Sequence, residues 1–169
     1  TRGKISRYAW GEDYHEVIKD KLFQMKDLLE ERGARAKVCV DTAAVLEKPW
    51  AHRAGIGWQG KHTNLISRDL GSWYFLGEIL TDAELEYDAV HEGSHCGTCT
   101  RCIDFCPTGA IVAPFVLDSR KCISYLTIEH RGVIDRDLRD KMGNWIYGCD
   151  ICQDVCPWNR FAQVETDPR

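Results

Sequence analysis

The stretch His95–Ile111, HCGTCTRCIDFCPTGAI, places four cysteines between positions 96 and 106 and closes them with a proline. The chain of 169 residues contains nine cysteines, an odd number, and most of them stand in Cys-x-x-Cys spacings. Such a set is a poor match to a secreted disulfide framework and indicates metal or redox chemistry. Because a reducing compartment keeps thiols available as ligands, we expect the protein to be cytoplasmic.

The rest of the composition is that of an ordinary folded protein. Hydrophobic residues make up 44% of the chain and charged residues 28%. No apolar run approaches the roughly 20 residues of a membrane-spanning helix, so no membrane contact is expected. The formal net charge of −4 does not favour a nucleic-acid surface. Four basic residues stand among aspartates, which is typical of a solvated helix face, although they can contact phosphates: Arg131, Arg136, Arg139 and Lys141.

The spacing of the first cysteine run is specific. It is Cys-x2-Cys-x2-Cys-x3-Cys-Pro, the bacterial ferredoxin pattern in which three cysteines bind one 4Fe-4S cluster and the fourth binds a second cluster. Short loops let backbone amides point at the cluster sulfurs, and Pro107 keeps the chain from coiling across the fourth ligand. Tetrahedral zinc is the alternative, because Cys-x-x-Cys pairs also hold that metal.

A second run, CDICQDVCP (149–157), repeats the pattern without its first cysteine, because Ile146 stands in that place. Cys122 can supply the missing ligand. Cys39 lies between two valines of a predicted strand and is expected to be a small buried hydrophobe. Exchange of the fourth ligands uses the other eight cysteines. The first cysteine set is Cys96, Cys99, Cys102 and Cys156, and the second cysteine set is Cys106, Cys122, Cys149 and Cys152.

The first half of the chain alternates helical and extended patterns. Apolar residues from 13 to 32 recur at three- and four-residue intervals, which predicts a helix that Gly33 ends. Residues 36–41, AKVCVD, alternate as in a short strand. Residues 42–55 can then form a helix that Pro49 begins or kinks.

A pair of strands is expected next. NLIS (64–67) and SWYFLGEIL (72–80) flank the turn RDLG, where Gly71 allows a tight reversal. Before them, Gly55 and Gly57 are turn glycines or positions where the backbone approaches another group closely.

The character of the chain changes at about Asp88, before the closely spaced cysteines begin. This change predicts an α+β unit over 1–88 and a cysteine-rich unit over 89–160, with 161–169 as the start of a further region. The chain opens without methionine and stops at VETDPR without a terminating element, so we expect it to be a fragment that lacks both ends.

Six segments together resemble the epoxyqueuosine reductase family, cobalamin-dependent iron-sulfur enzymes of tRNA queuosine biosynthesis. The pair VDTAAVLEK and RAGIGWQGK is more specific than the cysteine pattern, which occurs in many ferredoxin-type proteins. The segments are GKISRYAWGEDYH (3–15), VDTAAVLEKPWAHRAGIGWQGKHTNLI (40–66), GSWYFLGEILT (71–81), HCGTCTRCIDFCPTGAI (95–111), DSRKCISYLTIEHRG (118–132) and YGCDICQDVCPWNRF (147–161).

The resemblance implies an α+β fold in which residues 1–88 are part of a cobalamin-binding catalytic domain and 89–160 form a ferredoxin-like domain with two 4Fe-4S clusters. The implied reaction reduces the epoxide of epoxyqueuosine to queuosine at the tRNA wobble position. Electrons pass through the clusters to base-off cobalamin. The implied partners are the tRNA anticodon loop and an electron donor such as a flavodoxin or ferredoxin system, and the protein is expected to be a monomer.

The motif aspartate of the family falls on Asp41, which the resemblance makes the proton donor to the opening epoxide. A carboxyl group in that role needs its pKa raised by burial or by neighbouring charge. From the residues alone, Asp41 can equally cap a helix that begins near Thr42. The implied cobalamin contacts are Asp41, Lys48, Leu65, Leu76, Ser119 and Leu126.

Several other side chains have two interpretations. Trp58, Trp73 and Tyr74 can stack on a flat ring, but aromatic residues at this spacing are more often core. The histidines His52, His62 and His95 are expected to be hydrogen-bonded or exposed rather than cobalt ligands. Two other functional classes stay open at this point: a corrinoid reductive dehalogenase, and a plain two-cluster ferredoxin-type electron carrier.

Overall fold

The computed structural model describes residues 2–162, so most of the predicted region 161–169 lies outside the described residues. The longest helix, α1 (Tyr14–Glu31), begins after Asp13, whose side chain accepts a hydrogen bond from the His15 N–H at 3.0 Å. Gly33 follows the helix with φ +85°, a conformation in which glycine avoids steric strain. The predicted helix over 13–32 is confirmed. No helix in 2–162 is both long and apolar enough to cross a membrane.

The strands pair in twos. β1 (Lys4–Ile5) is parallel to β8 (Trp145–Tyr147), while β2 (Ala36–Cys39) is antiparallel to β5 (Glu78–Thr81). β3 (Trp58–Gln59) pairs with β4 (Leu65–Ile66), and β6 (Ile111–Ala113) pairs with β7 (Val116–Leu117). Two-stranded ribbons are marginally stable in water, so each must be held by what packs on it.

One expected strand pair is wrong. β4 pairs with β3, not with 72–80, and the C-terminal part of 72–80 is β5, which pairs with β2. The reason is close packing: a Cβ on Gly57 would lie 2.1 Å from the Ile66 carbonyl oxygen, so only glycine lets β3 reach β4. Gly57 is therefore a position where two segments of the protein's own backbone approach each other closely.

The helix expected from residue 42 begins later. α2 spans Glu47–Arg53 and contains Pro49 in its first turn, where a missing N–H costs no hydrogen bond. Asp41 has φ +45° and is followed by an irregular loop. Because the helix begins only at Glu47, Asp41 does not cap a helix starting near Thr42. The helix-capping interpretation of Asp41 is wrong.

The two cysteine runs form the same local structure. α3 (Arg101–Asp104) contains Cys102, and α6 (Ile151–Asp154) contains Cys152. These short helices pack against each other. α4 (Ile123–Ile128) and α5 (Arg136–Met142) complete the second half.

The described core is small and is built next to the cysteines. Trp58 and Ile66 are fully buried and pack with Cys156, while a second group contains Ile123, Leu126 and Met142 with Cys149 beside it. The N-terminal segment is tied to the same region, because buried Asp150 accepts hydrogen bonds from the Ser6 hydroxyl and from the Arg7 N–H at 2.8 Å. Cys39 is 2% exposed, which confirms the expectation of a small buried hydrophobe.

Candidate iron-sulfur and catalytic site

The first cysteine set lines one cavity of about 280 Å³, which we call the first cavity. Cys102 lies in α3, and burial, followed by the nearby Cys96 and Cys156, raises its pKa to about 11. Burial also raises the pKa of Cys156. The four thiols around this cavity are Cys96, Cys99, Cys102 and Cys156.

The second cysteine set lines a separate cavity of about 400 Å³, the second cavity. Burial raises the pKa of Cys152 to about 12, and the neighbouring Cys149 and Cys122 add to this effect. The pKa of Cys149 is raised to about 11, again mainly by burial. The thiols here are Cys106, Cys122, Cys149 and Cys152. The fold therefore brings the cysteines together in the two groups that exchange of the fourth ligands predicts.

This donor chemistry fits a cluster better than a single ion. Thiols with raised pKa values are protonated at neutral pH, so a metal must displace their protons on binding. Within residues 2–162 no three His, Cys, Asp or Glu side chains converge closely enough to hold one metal ion. A zinc ion holds its thiolates at about 2.3 Å, whereas a cubane spreads four thiolates over four iron atoms.

The second cavity has polar residues from the first half of the chain at its wall. The Lys48 ammonium donates a hydrogen bond to the Asn64 side-chain oxygen at 3.2 Å. Burial lowers the pKa of Lys48, while Cys152, Glu47 and Asp41 act in the opposite direction. Lys48 therefore lies within electrostatic reach of both the second cysteine set and Asp41.

His62 lines both cavities and is 4% exposed. Its Nδ1 accepts a hydrogen bond from the Asn64 N–H at 3.2 Å, which assigns the proton of the neutral ring to Nε2. Burial, with a smaller contribution from Lys48, lowers the pKa of His62 to about 4. His62 is thus a neutral side chain between the two cysteine sets.

Asp41 belongs to a chain of hydrogen-bonded side chains outside the cavities. Its Oδ2 lies 3.1 Å from His15 Nε2, and His15 Nδ1 lies 2.7 Å from Asp13 Oδ1. Because both ring nitrogens face carboxylates, the arrangement favours the imidazolium, which donates from both. The pKa of His15 is raised, first by the hydrogen bond to Asp13 and then by that to Asp41.

The backbone and setting of Asp41 are unusual. A φ of +45° is uncommon for a residue other than glycine, although aspartate tolerates it, and the Asp41 N–H donates to Glu47 Oε1 at 2.6 Å. The Asp41 side chain is 52% exposed, so burial of the kind expected from its proposed role is not present. Tyr14 lies beside it, and burial followed by the Asp41 charge raises the pKa of that tyrosine.

Asp13, His15 and Glu78 are functional candidates that the sequence interpretation missed. The segment GEDYH was available as a signal for the first two, but no sequence feature places His15 next to Asp41. Glu78 stands opposite Cys39 in the β2–β5 register, and its Oε2 is buried without a hydrogen-bond partner. Burial, and next the charge of Glu47, raises the pKa of Glu78 to about 7.

The other expected cobalamin contacts lie in different settings. Ser119 lines the second cavity together with Lys48. Leu65 and Leu126 are 4% and 6% exposed, so their side chains are core, and Leu76 is half-buried. The four basic residues of the second half are exposed: Arg131, Arg136, Arg139 and Lys141.

The aromatic candidates and His62 lie mainly in the protein interior, whereas His52 is half-buried and His95 is exposed. Trp58 is 0% exposed, and its ring meets those of His95 at 4.7 Å and Trp158 at 4.9 Å. Burial raises the pKa of Tyr74 to about 12, while Trp73 lies 4.6 Å from the Arg7 guanidinium. These positions favour core packing over stacking on a cofactor.

Comparisons with known proteins agree over nearly the whole chain. Family models match residues 95–159, as a 4Fe-4S double cluster binding domain, and 1–42, as Epoxyqueuosine reductase QueG, DUF1730. An epoxyqueuosine reductase of Synechocystis sp. is 57% identical over 167 residues, which are 96% of this chain and 57% of that protein. The chain thus spans little more than half the length of this relative.

Two solved structures share the fold. A crystal structure of epoxyqueuosine reductase with an epoxyqueuosine-modified tRNA-Tyr stem loop has a TM-score of 0.93 and 40% identity, and the match covers 99% of this chain and 44% of that one. An epoxyqueuosine reductase from Bacillus subtilis, described with an aspartate catalytic loop swung out of the active site, gives 0.92 and 38% over the same shares.

Proposed function

The chain belongs, over the length that it spans, to the epoxyqueuosine reductase family, and from this premise we propose that it takes part in reducing epoxyqueuosine to queuosine in tRNA. The reaction removes the epoxide oxygen as water and leaves a carbon–carbon double bond. It therefore consumes two electrons and two protons. The observation that carries the proposal is the combination of two four-cysteine cavities with a hydrogen-bonded aspartate near one of them.

The electron path is assigned to the two cysteine sets. Each set offers four thiols to its own cavity, the number of ligands that one 4Fe-4S cluster takes. Lys48 interacts with Cys152 and with Asp41, so the second cluster is the one nearer to the reaction. The first cluster is then the point where electrons enter, from a donor such as a flavodoxin or ferredoxin system.

Cobalamin is the proposed acceptor of these electrons. The corrin combines an apolar macrocycle with amide side chains and would lie beside the second cluster. The wall of the second cavity carries Lys48, Asn64 and Ser119 next to the apolar Leu117 and Ile128, which suit such a neighbour. Lys48 and Ser119 would hold the amide groups, and base-off cobalamin supplies a low-valent cobalt when bound. We propose that residues 1–88 form part of this cobalamin-binding catalytic domain and 89–160 the ferredoxin-like domain.

Asp41 is the proposed proton donor to the opening epoxide. The alkoxide that forms when the C–O bond breaks needs a proton at once, and general acids contribute roughly 10²–10⁴-fold in rate. The His15 imidazolium donates from Nε2 to the Asp41 carboxylate at 3.1 Å, so His15 is the proposed source of the proton that Asp41 passes to the alkoxide. Asp13 holds the opposite ring nitrogen and keeps the imidazole oriented.

The alternatives lack this agreement of features. A plain two-cluster electron carrier has no use for the Asp13–His15–Asp41 arrangement. A corrinoid reductive dehalogenase uses the same cofactor types, but the relatives of this chain are named epoxyqueuosine reductases. The tRNA partner is proposed from the relative described with a modified tRNA stem loop, and a cytoplasmic monomer is proposed from the chain's cysteine chemistry and composition.

The test is an anaerobic assay of the reconstituted protein with reduced donor, cobalamin and an epoxyqueuosine-modified stem loop. Mass spectrometry of the nucleosides is expected to find queuosine, with loss of one oxygen atom. A haloalkene or haloarene under the same conditions is the control that tests the dehalogenase hypothesis. Halide release without queuosine formation would reject the proposed substrate.

A further inference from the structure

Lys61 ties the first cysteine run to a distant part of the chain. Its ammonium donates hydrogen bonds to the carbonyl oxygens of Gly97 at 2.7 Å and Cys99 at 2.9 Å. The same turn is closed by the Cys99 N–H, which donates to the Cys96 carbonyl at 3.0 Å. One side chain from the segment between β3 and β4 therefore holds two carbonyls of the loop that carries Cys96 and Cys99.

The anchor itself is fixed. The Lys61 carbonyl accepts a hydrogen bond from the Phe115 N–H at 3.0 Å, and the side chain is half-buried. Hydrogen bonds from a charged donor are shorter and stronger than those between neutral groups. At Gly97 the backbone has φ +50°, and no atom beyond its chain neighbours lies within 4 Å of where a Cβ would be, so no packing holds this point of the loop. Lys61 thus adds two hydrogen bonds from outside the loop to the one between Cys96 and Cys99.

Lys61 also lines the first cavity, and its ammonium lies on the carbonyls of the loop that carries Cys96 and Cys99. The residues around that cavity include Lys61, Arg101 and Arg160, and none of its described lining residues is acidic. A 4Fe-4S cluster becomes more negative by one charge when it is reduced. A fixed cation beside it stabilises the reduced form and raises the reduction potential. The second cavity is different, because its wall carries Glu129 as well as Lys48.

We propose that Lys61 is a positioning residue for the first cluster: it orders the Cys96–Cys99 loop and sets the reduction potential of that cluster apart from that of the second. The inference rests on the two clusters proposed above. It does not depend on cobalamin, on tRNA or on the identity of the electron donor.

The test compares four substitutions in anaerobically reconstituted protein. Lys61→Met removes the donor and the charge, Lys61→Gln keeps a donor without charge, and Lys61→Arg keeps both. Arg101→Met removes a cation of the same cavity that makes no described bond to the loop. The readouts are iron per chain and an EPR-monitored redox titration of each cluster. For Lys61→Met we expect either a loss of about four of eight irons or a more negative potential of the first cluster alone. Lys61→Gln is expected to keep its iron and to shift that potential in the same direction.

Two results would overturn the inference. One is Lys61→Met with full iron and a wild-type potential for the first cluster. The other is a shift in Arg101→Met as large as in Lys61→Met, which would make Lys61 one cation among several. Lys61→Arg keeps the charge and the donors, so its iron content and the potential of its first cluster are expected to match those of the wild type. Values like those of Lys61→Met would count against the proposed role of Lys61. Failure of the cluster proposal is distinguishable, because wild-type protein would then lack the eight irons.

Discussion

The two cysteine cavities have the same ligand chemistry but different surroundings. Each is lined by four cysteines, and each contains one short helix with a central cysteine of the run, α3 or α6. The first cavity is lined by cations and by Trp158, whereas the second is lined by the half-buried Lys48 and Asn64 and by Ser119, with Asp41 in electrostatic range of Lys48. In the function proposed above, this difference corresponds to two tasks, electron entry at the first cavity and electron delivery at the second.

The largest expected effect comes from removing one ligand of the second set. Cys122→Ala should reduce the iron content from about eight to about four per chain, because the second cluster loses a ligand while the first keeps all four. Iron analysis and EPR of the reduced protein measure this. The matched control is Cys39→Ala, a buried cysteine outside both cavities, which should keep both clusters. Two intact cubanes in Cys122→Ala would reject the assignment of ligands.

Asp41→Asn tests the proposed proton donor near the second cavity. Asparagine tolerates the positive φ of +45°, so the loop and both clusters should remain, while the rate of epoxide reduction falls by roughly 10²–10⁴-fold through loss of the acid. Single-turnover formation of queuosine is the measurement. Asp20→Asn, on the exposed side of α1, serves as the control and should be active. An Asp41→Asn variant with wild-type turnover would remove Asp41 from the proton path.

His15→Asn tests whether the proton comes through the imidazole. The pKa of His15 is raised by Asp13 and Asp41, so the imidazolium persists to higher pH than that of a free histidine, and wild-type activity should fall as pH rises through that value. The variant should be slower by about tenfold, less than the roughly 10²–10⁴-fold of a direct general acid because Asp41 remains, and should lose this limb of the profile. The kcat–pH profile is decisive: an unchanged limb would assign the titration to another group.

Glu78→Gln should have the smallest effect, on stability rather than on rate. The pKa of Glu78 rises from 4.5 to about 7, mainly by burial, so its charged form costs stability that is absent at low pH and appears as pH rises through this range. The variant should melt a few degrees higher than the wild type at pH 8, since ~1 kcal/mol shifts Tm by about 2–4 °C. Solvent screening limits the gain. Equal differences at pH 5 and pH 8 would contradict the account.

The cysteine-rich half was the more predictable from sequence. Spacing separated seven of the eight cysteines into the two groups that line the cavities, because cluster ligands must lie at fixed intervals around short loops, and Cys122 was assigned as the remaining candidate. Periodicity also located α1, whose half-buried Ile18 and Leu22 pack on Gly77, where a Cβ would lie within 3 Å of both. A local pattern set by one physical constraint, such as ligand spacing or helical periodicity, can therefore be predicted from the sequence.

The first half was less predictable because its contacts are distant in sequence. Pairing of β4 with β3 depends on the absence of a side chain at Gly57, and pairing of β5 with β2 joins segments about 40 residues apart. The approach of His15 to Asp41 follows from the same tertiary packing. Neither propensity nor spacing encodes these pairs, so from the residues alone a helix cap and a catalytic role were equally good interpretations of Asp41.

The transfer of electrons from two clusters to cobalamin is tested most directly by an anaerobic titration of the iron-reconstituted protein with cobalamin, followed by optical and EPR spectra. We expect about eight irons per chain, the number in two cubanes, together with a base-off Co(II) signal that disappears when the clusters are reduced. Eight irons without any corrin signal would contradict delivery of electrons to cobalamin at the second cavity and would favour a plain two-cluster electron carrier.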